Sequence, residues 1–139
     1  MFDGEPDATR TAFVGHTHRP LDRALSARGG SPVRRFVNVG SAGEPMDRDT
    51  RACYIVAQRD VSDEPGDWRV GVRRVPYDIE AAVRAYDNGL RDICPELVEL
   101  MARNLRNARN YFGRCMREVR DLPPEQFIAG VRAWLAEHP

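Results

Sequence analysis

TAFVGHTHRP, residues 11–20, holds two of the three histidines in a chain of 139 residues, set one residue apart behind an apolar run and a glycine. Residues 11–14 (TAFV) read as a short buried strand that ends at Gly15. Histidines at i and i+2 leaving a strand can point to the same side, and a glycine keeps the backbone thin where another loop or a ligand comes close. Neutral imidazole is the commonest protein ligand for zinc, manganese, iron and similar ions. The carboxyl end of a strand is also where open α/β sheets bind ligands. A bare HxH arises by chance too, and an exposed histidine ordinarily does nothing, so Gly15-His16-Thr17-His18 alone leaves metal binding and no role both open.

Outward from this stretch the chain divides into two regions of different character. Up to about residue 77, short apolar runs alternate with turn clusters. RGGSP (28–32) reads as a loop or hairpin turn, RRFVNV (Arg34–Val39) as a strand closed by Gly40-Ser41, and GEPMDRDT (43–50) as a loop. RACYIVAQ (51–58) and WRVGVRRV (68–75) read as strands flanking DVSDEPGD (60–67), which has the residues of a tight hairpin. In the second of these strands Trp68, Val70 and Val72 alternate with Arg69, Gly71 and Arg73, the pattern of a half-buried strand. The spacing predicts that 34–39, 51–58 and 68–75 are adjacent strands of one sheet.

From residue 78 the period is helical. Asp78 reads as an N-cap, with Asn88-Gly89 closing the first helix. Pro95 opens a second at a position that tolerates proline. Its apolar positions, Leu97, Met101, Leu105, Ala108, Phe112, Cys115, Val119 and Leu122, alternate spacings of four and three and predict one helix over 95–121, with Gly113 its weak point. Leu122-Pro123-Pro124 forces a break, and a last helix over 124–137 places Phe127, Val131 and Trp134 on one face.

Composition excludes more than it selects. Formal net charge is zero and apolar and charged fractions are ordinary for a soluble protein, so there is no nucleic-acid or membrane signal. All 21 basic residues are arginine, a pattern that GC-rich coding produces; with no lysine there is neither a Schiff base nor a phosphate-loop lysine. Cys53, Cys94 and Cys115 form no CxxC pair and read as buried thiols. MFDGEPDATR at the start is acidic and turn-rich, unlike a signal peptide, and no apolar run approaches bilayer length, so a cytoplasmic location is expected.

VGHTHRP, then FVNVGSAGEPMDRDTRACYIV, then VRRVPYDIEAAVRAYDNGL resembles the C-terminal end of calcineurin-like metallophosphoesterases, in the bacterial predicted-phosphoesterase branch. There a GHTHxP motif is followed by a strand, an N-x-GS-x-G-x-P loop, another strand and an R-V-x-YD junction. The match covers about residues 10–90 and not the helical tail, which divides the chain into a phosphoesterase portion over 1–90 and an extension over 91–139. The resemblance implies an α/β fold: part of a β-sandwich flanked by helices, with a dinuclear metal centre at one edge and an α-helical tail after it. It implies that His16 binds one divalent ion (Mn, Fe, Zn or Ni type) and His18 the other, with Thr17 a backbone spacer. Two ions roughly 3.5–4 Å apart would clamp a hydroxide that attacks the phosphorus of a phosphate ester in line.

Other positions carry two readings each. Asn38-Val39-Gly40-Ser41 is a turn whose glycine takes a conformation other residues avoid, or a substrate contact. Asp78 matches the YD junction, and helix capping accounts for it. Arg19 could touch a phosphate, or be a surface arginine beside a proline. The family's upstream D-x-H, G-D and G-N-H-[DE] motifs and its further histidine do not occur in these residues; Gly66-Asp67 follows the GHTH instead of preceding it, and the third histidine is His138. The chain therefore reads as the C-terminal portion of a phosphohydrolase, inactive without a missing N-terminal half or another chain and binding at most one metal weakly by itself. Two further readings stand beside it. One is a non-catalytic interaction module that self-associates or docks a partner through the stripe from Leu97 to Leu122. The other is a mononuclear metal protein using His16, His18 and a carboxylate among Asp3, Glu5, Asp7 and Glu44.

Overall fold

The computed structural model describes residues 10–25, 34–60 and 68–139. The protein is an α/β fold with five strands and four helices among these residues, in two compact units. One unit holds all the described strands; the other holds the helices together with residues 44–50. The expected turn at 28–32, residues 61–67 of the turn expected over 60–67, and the carboxylates Asp3, Glu5 and Asp7 lie outside the described residues.

In the strand unit, β1 (Arg10–Val14), β2 (Pro20–Leu25) and β3 (Arg34–Val39) form a sheet in the order β1-β3-β2, with β1 parallel and β2 antiparallel to β3. A second sheet pairs β4 (Ala52–Gln58) with β5 (Arg69–Val75) antiparallel, from Ala52 opposite Val75 to Gln58 opposite Arg69. The hairpin is thus as expected, but its strands are not adjacent to β3. Both edges of β3 are already occupied, one by β1 and the other by β2, and no ladder is left for β4. The occupant that composition hides is β2. PLDRAL opens on proline and carries two charges, a poor strand signal, yet proline is acceptable as the first residue of an edge strand. Asp22 and Arg35 lie diagonally across the β2–β3 pair, and the Arg35 guanidinium donates to both carboxylate oxygens at 2.7 and 2.5 Å. That bond holds the Asp22 carboxyl below its ordinary pKa.

The expectation of burial for residues 11–14 is also corrected. Phe13 and Val14 are each 41% exposed, because β1 is an edge strand of a small sheet. Val72 likewise remains half-exposed, so the alternation of β5 selects a face without hiding it. The two sheets are joined through Trp68: the Phe13 ring meets its indole edge-on at 5.8 Å, and Arg35 Nη1 donates to its carbonyl at 2.5 Å.

The helical unit contains α1 (Ile79–Leu90), α2 (Pro95–Asn107), α3 (Tyr111–Val119) and α4 (Pro124–Glu137). Asp78 caps α1 as read, its Oδ1 accepting the Ala81 N–H at 2.8 Å. The helix runs through Asn88-Gly89 to Leu90. Pro95 opens α2 and Pro124 opens α4. The single helix expected over 95–121 is two helices. The chain leaves α2 at Ala108, which takes a left-handed conformation (φ 47°), and re-enters at Asn110, whose Oδ1 caps the Gly113 N–H at 2.6 Å. Asn104 drives the break. Fully buried on α2, its Oδ1 accepts the Tyr111 and Phe112 N–H groups at 2.6 and 3.2 Å, and its Nδ2 donates to Glu44 at 2.5 Å. Two amides that a new helix leaves unpaired are thereby satisfied from the preceding one, and the Ala108 carbonyl accepts the Arg48 N–H at 3.0 Å.

The apolar stripe is taken up inside this unit. Cys115 and Val119 pack with Leu100, Tyr111, Val131 and Trp134, with Phe112 and Leu122 against them, while Leu105 packs with Val83 of α1 and Ala102. Polar ties close the bundle: Arg106 forks onto Glu80 with two bonds of 2.8 Å, and Arg132 of α4 donates to the buried Glu96 at 2.6 Å. Among the described residues no helix is long and apolar enough to cross a membrane. Cys53 and Cys115 are buried as expected, and Cys94 is partly exposed.

Two outcomes follow. Asn104→Ala removes a hydrogen bond from each of the Tyr111 and Phe112 amides and from the Glu44 carboxylate and should cost about 2–4 kcal/mol in urea unfolding, with faster amide exchange at Tyr111 and Phe112; unchanged stability would remove Asn104 as the cause of the break. Glu96 is held below its ordinary pKa, first by its own backbone N–H and then by Arg132. A depressed pKa stabilises above the unfolded value and is lost as pH falls. The urea-midpoint gap between wild type and Glu96→Gln should therefore be largest near neutrality and close as pH drops below the ordinary glutamate value of 4.5.

Candidate functional site

The histidine loop is defined by strand register. β1 ends at Val14, level with Asn38 of β3, and β2 begins with Pro20 and Leu21, level with Val39 and Asn38. Residues 15–19 therefore carry the chain over the end of β3 from one of its neighbours to the other, two strand spacings or roughly 10 Å away. As expected, His16 and His18 leave the strand on this loop. His16 is exposed and His18 partly buried.

Both histidines have left-handed backbones, φ 77° at His16 and 57° at His18. Histidine is among the side chains that visit this region more often, but each such residue costs roughly 1–2 kcal/mol. Two of them flanking one threonine need a compensating restraint, and it comes from beneath. Asn38, 5% exposed, donates from Nδ2 to the Gly15 carbonyl and to Thr17 Oγ1, both at 2.9 Å, while its Oδ1 accepts the Gly40 N–H at 3.0 Å. The orientation of this amide is unambiguous: the Gly15 carbonyl can only accept and the Gly40 N–H can only donate. Three bonds worth about 0.5–1.5 kcal/mol each are of the same size as the strain they oppose.

Thr17 is thus more than the spacer it was expected to be, since its hydroxyl is the loop's anchor point. Asn38, read from the sequence as part of a turn or of a substrate contact, is the buried anchor beneath this loop. The available signal was one amide inside the apolar run FVNV. The glycine reading at the same motif does hold. Gly40 has φ 77°, and a Cβ there would lie 2.6 Å from Cys53 Sγ and 3.4 Å from Pro20 Cδ. Behind it the Ser41 carbonyl accepts the Cys53 N–H at 2.9 Å, so the turn after β3 is bound to the start of β4.

The other candidates separate from the loop. Glu44 belongs to the helical unit, where Asn104 donates to its carboxylate. His138 stacks on Trp134 at 4.2 Å, with its Nδ1 2.9 Å from the Trp134 carbonyl, an arrangement that finishes α4. Asp78 is a helix cap. Arg19 is exposed beside the loop, and Gly66-Asp67 lies outside the described residues. Imidazole nitrogen has the right chemistry for zinc- or manganese-type ions, but such ions take four to six or more ligands. Among the described residues no group of three or more His, Cys, Asp or Glu is placed to hold a metal. These residues alone do not make up a complete metal site.

No protein-family model matches the chain, and no curated protein matches it. Among solved structures the chain is similar to the crystal structure of metallophosphoesterase from Sphaerobacter thermophilus, with 28% identity over 72% of this chain and a TM-score of 0.47. The match spans 42% of the length of that protein.

The turn that presents Asn38 yields a direct test. Gly40→Ala should cost about 2–4 kcal/mol, from the left-handed backbone together with the overlap on Cys53. Cys53→Ala introduced into that variant should recover part of the loss, because it removes the sulfur but not the φ strain. Urea unfolding of the four chains gives the coupling; additive losses would show that the two side chains do not compete for the space.

Proposed function

We propose that residues 1–90 are the C-terminal part of a calcineurin-like metallophosphoesterase domain and that His16 and His18 are its GHTH metal ligands. The remaining ligands of a dinuclear centre would come from the rest of that domain, and residues 91–139 would be an added helical extension. The observation that carries this reading is the bond between the two motifs on which the resemblance rests. Asn38 of NVGS donates to Gly15 and Thr17 of GHTH. Motifs twenty residues apart, joined by a buried amide, behave as one device, and what that device presents is two imidazoles on a restrained loop.

The chemistry assigned to this chain is limited to what its residues can do. Imidazoles on a loop held beforehand bind an ion without first having to order the backbone. Being neutral ligands, they leave the ion's positive charge available to a phosphate ester. Carboxylates are needed to hold two divalent ions together against their repulsion, and among the described residues no group of three or more His, Cys, Asp or Glu is placed to hold a metal. The isolated chain is therefore proposed to bind one ion weakly and to lack useful turnover.

The test begins with the DNA upstream of Met1, which should encode an in-frame D-x-H and G-N-H. The protein expressed from that longer frame with manganese should hydrolyse an aryl phosphodiester. Turnover should vanish with chelator and fall at least 100-fold in His16→Ala or His18→Ala, while the 139-residue chain should show none above a metal blank. Full activity in both alanine variants would overturn the ligand assignment. Chelator-sensitive turnover by the short chain would overturn its inactivity.

A further inference from the structure

We infer that Asn38 is a positioning residue whose carboxamide sets the left-handed backbones of His16 and His18, and thereby the geometry the two imidazoles offer to an ion. It touches the loop on both sides of His16, through the Gly15 carbonyl before it and the Thr17 hydroxyl after it. Fixing the residues that bracket His16 leaves its φ and ψ little freedom. Fixing Thr17 also sets where His18 begins. The third bond, to Gly40, orients the carboxamide itself, so the restraint originates in the β3 turn and not in the loop. A buried amide with both donors spent on one exposed loop is a costly way to close a turn; its effect is to remove backbone freedom from the two residues with metal-ligand side chains. The loop geometry is argued from these bonds, whereas its use in metal binding rests on the reading of His16 and His18 as ligands.

Asn38→Asp is the discriminating variant. A carboxylate can still accept the Gly40 N–H, and the Thr17 hydroxyl can turn to donate to it, but it cannot donate to the Gly15 carbonyl, so the turn survives while the restraint ahead of His16 is lost. Thr17→Val removes one bond from an exposed position and keeps the fold available if the aspartate variant fails. Thr17→Ser retains the hydroxyl and should restore wild-type behaviour.

The first readout is NMR of the metal-free chain. Strong intraresidue HN–Hα contacts report positive φ at His16 and His18 in wild type and Thr17→Ser; they should weaken in Thr17→Val and fall to the intensity of ordinary negative-φ residues in Asn38→Asp. The second is calorimetric titration with nickel chloride alone. Affinity should fall about tenfold or more in Asn38→Asp, the range expected when a partner that orients a ligand is lost, with a smaller fall in Thr17→Val. Positive φ retained at both histidines in Asn38→Asp and Thr17→Val overturns the inference, as does a reorganised loop with unchanged nickel affinity. If the wild-type chain binds no nickel, the ligand reading fails, and the NMR alone decides the anchor: loss of positive φ in Asn38→Asp upholds it and retention overturns it.

Discussion

A single carboxamide organises the strand unit at the end that carries the histidine loop. Asn38 sits in the middle strand of a three-stranded sheet, level with the last residue of one neighbour and the second residue of the other, so it is within reach of the loop that joins them. Its burial makes its bonds obligatory: an unpaired amide there would cost as much as the bonds contribute. From that follow the path of residues 15–19, the left-handed histidines and the requirement for glycine at position 40, where the chain must turn back beneath the amide and clear Cys53. The site is thus held by hydrogen bonds at the end of a sheet whose outer face remains half-exposed, and not by a large apolar core.

The helical unit uses the same device for a different end. Asn104 is also a buried asparagine whose amide nitrogen and oxygen are both engaged, and it too overrides what the local pattern favours. The 4-3 spacing from Leu97 to Leu122 is compatible with a continuous helix. A continuous helix, however, would leave a polar side chain unsatisfied among Leu100, Leu105 and Tyr111. Breaking the helix at Ala108 lets Asn104 pair with the start of α3 and with Glu44, and folds the stripe back so that Trp134, Val131 and Val83 cover it.

Legibility in the sequence followed the range of the force responsible. Strand and helix positions set by neighbouring residues were readable: the apolar runs at Arg34–Val39 and Ala52–Gln58, the Asp78 cap, the prolines that open α2 and α4, and the glycine at position 40. Misreadings arose where a distant partner decided. PLDRAL becomes a strand because Arg35 pairs with Asp22 across the ladder, and the hairpin forms its own sheet because β2 has taken the edge of β3 that composition left to β4.

For the candidate site the division is equally physical. The sequence by itself determined the two imidazoles, their i, i+2 spacing behind a strand and glycine, and the existence of a left-handed turn at Gly40, because each depends on residue chemistry within a few positions. Only the tertiary structure decided that GHTH and NVGS are one unit, that Thr17 is an anchor, and that Glu44 is spent in the helical unit. A side-chain amide carries no periodicity and can bond anything its own strand brings near. Its partners therefore become readable only once the register of β1, β2 and β3 places residues 15, 17, 38 and 40 together.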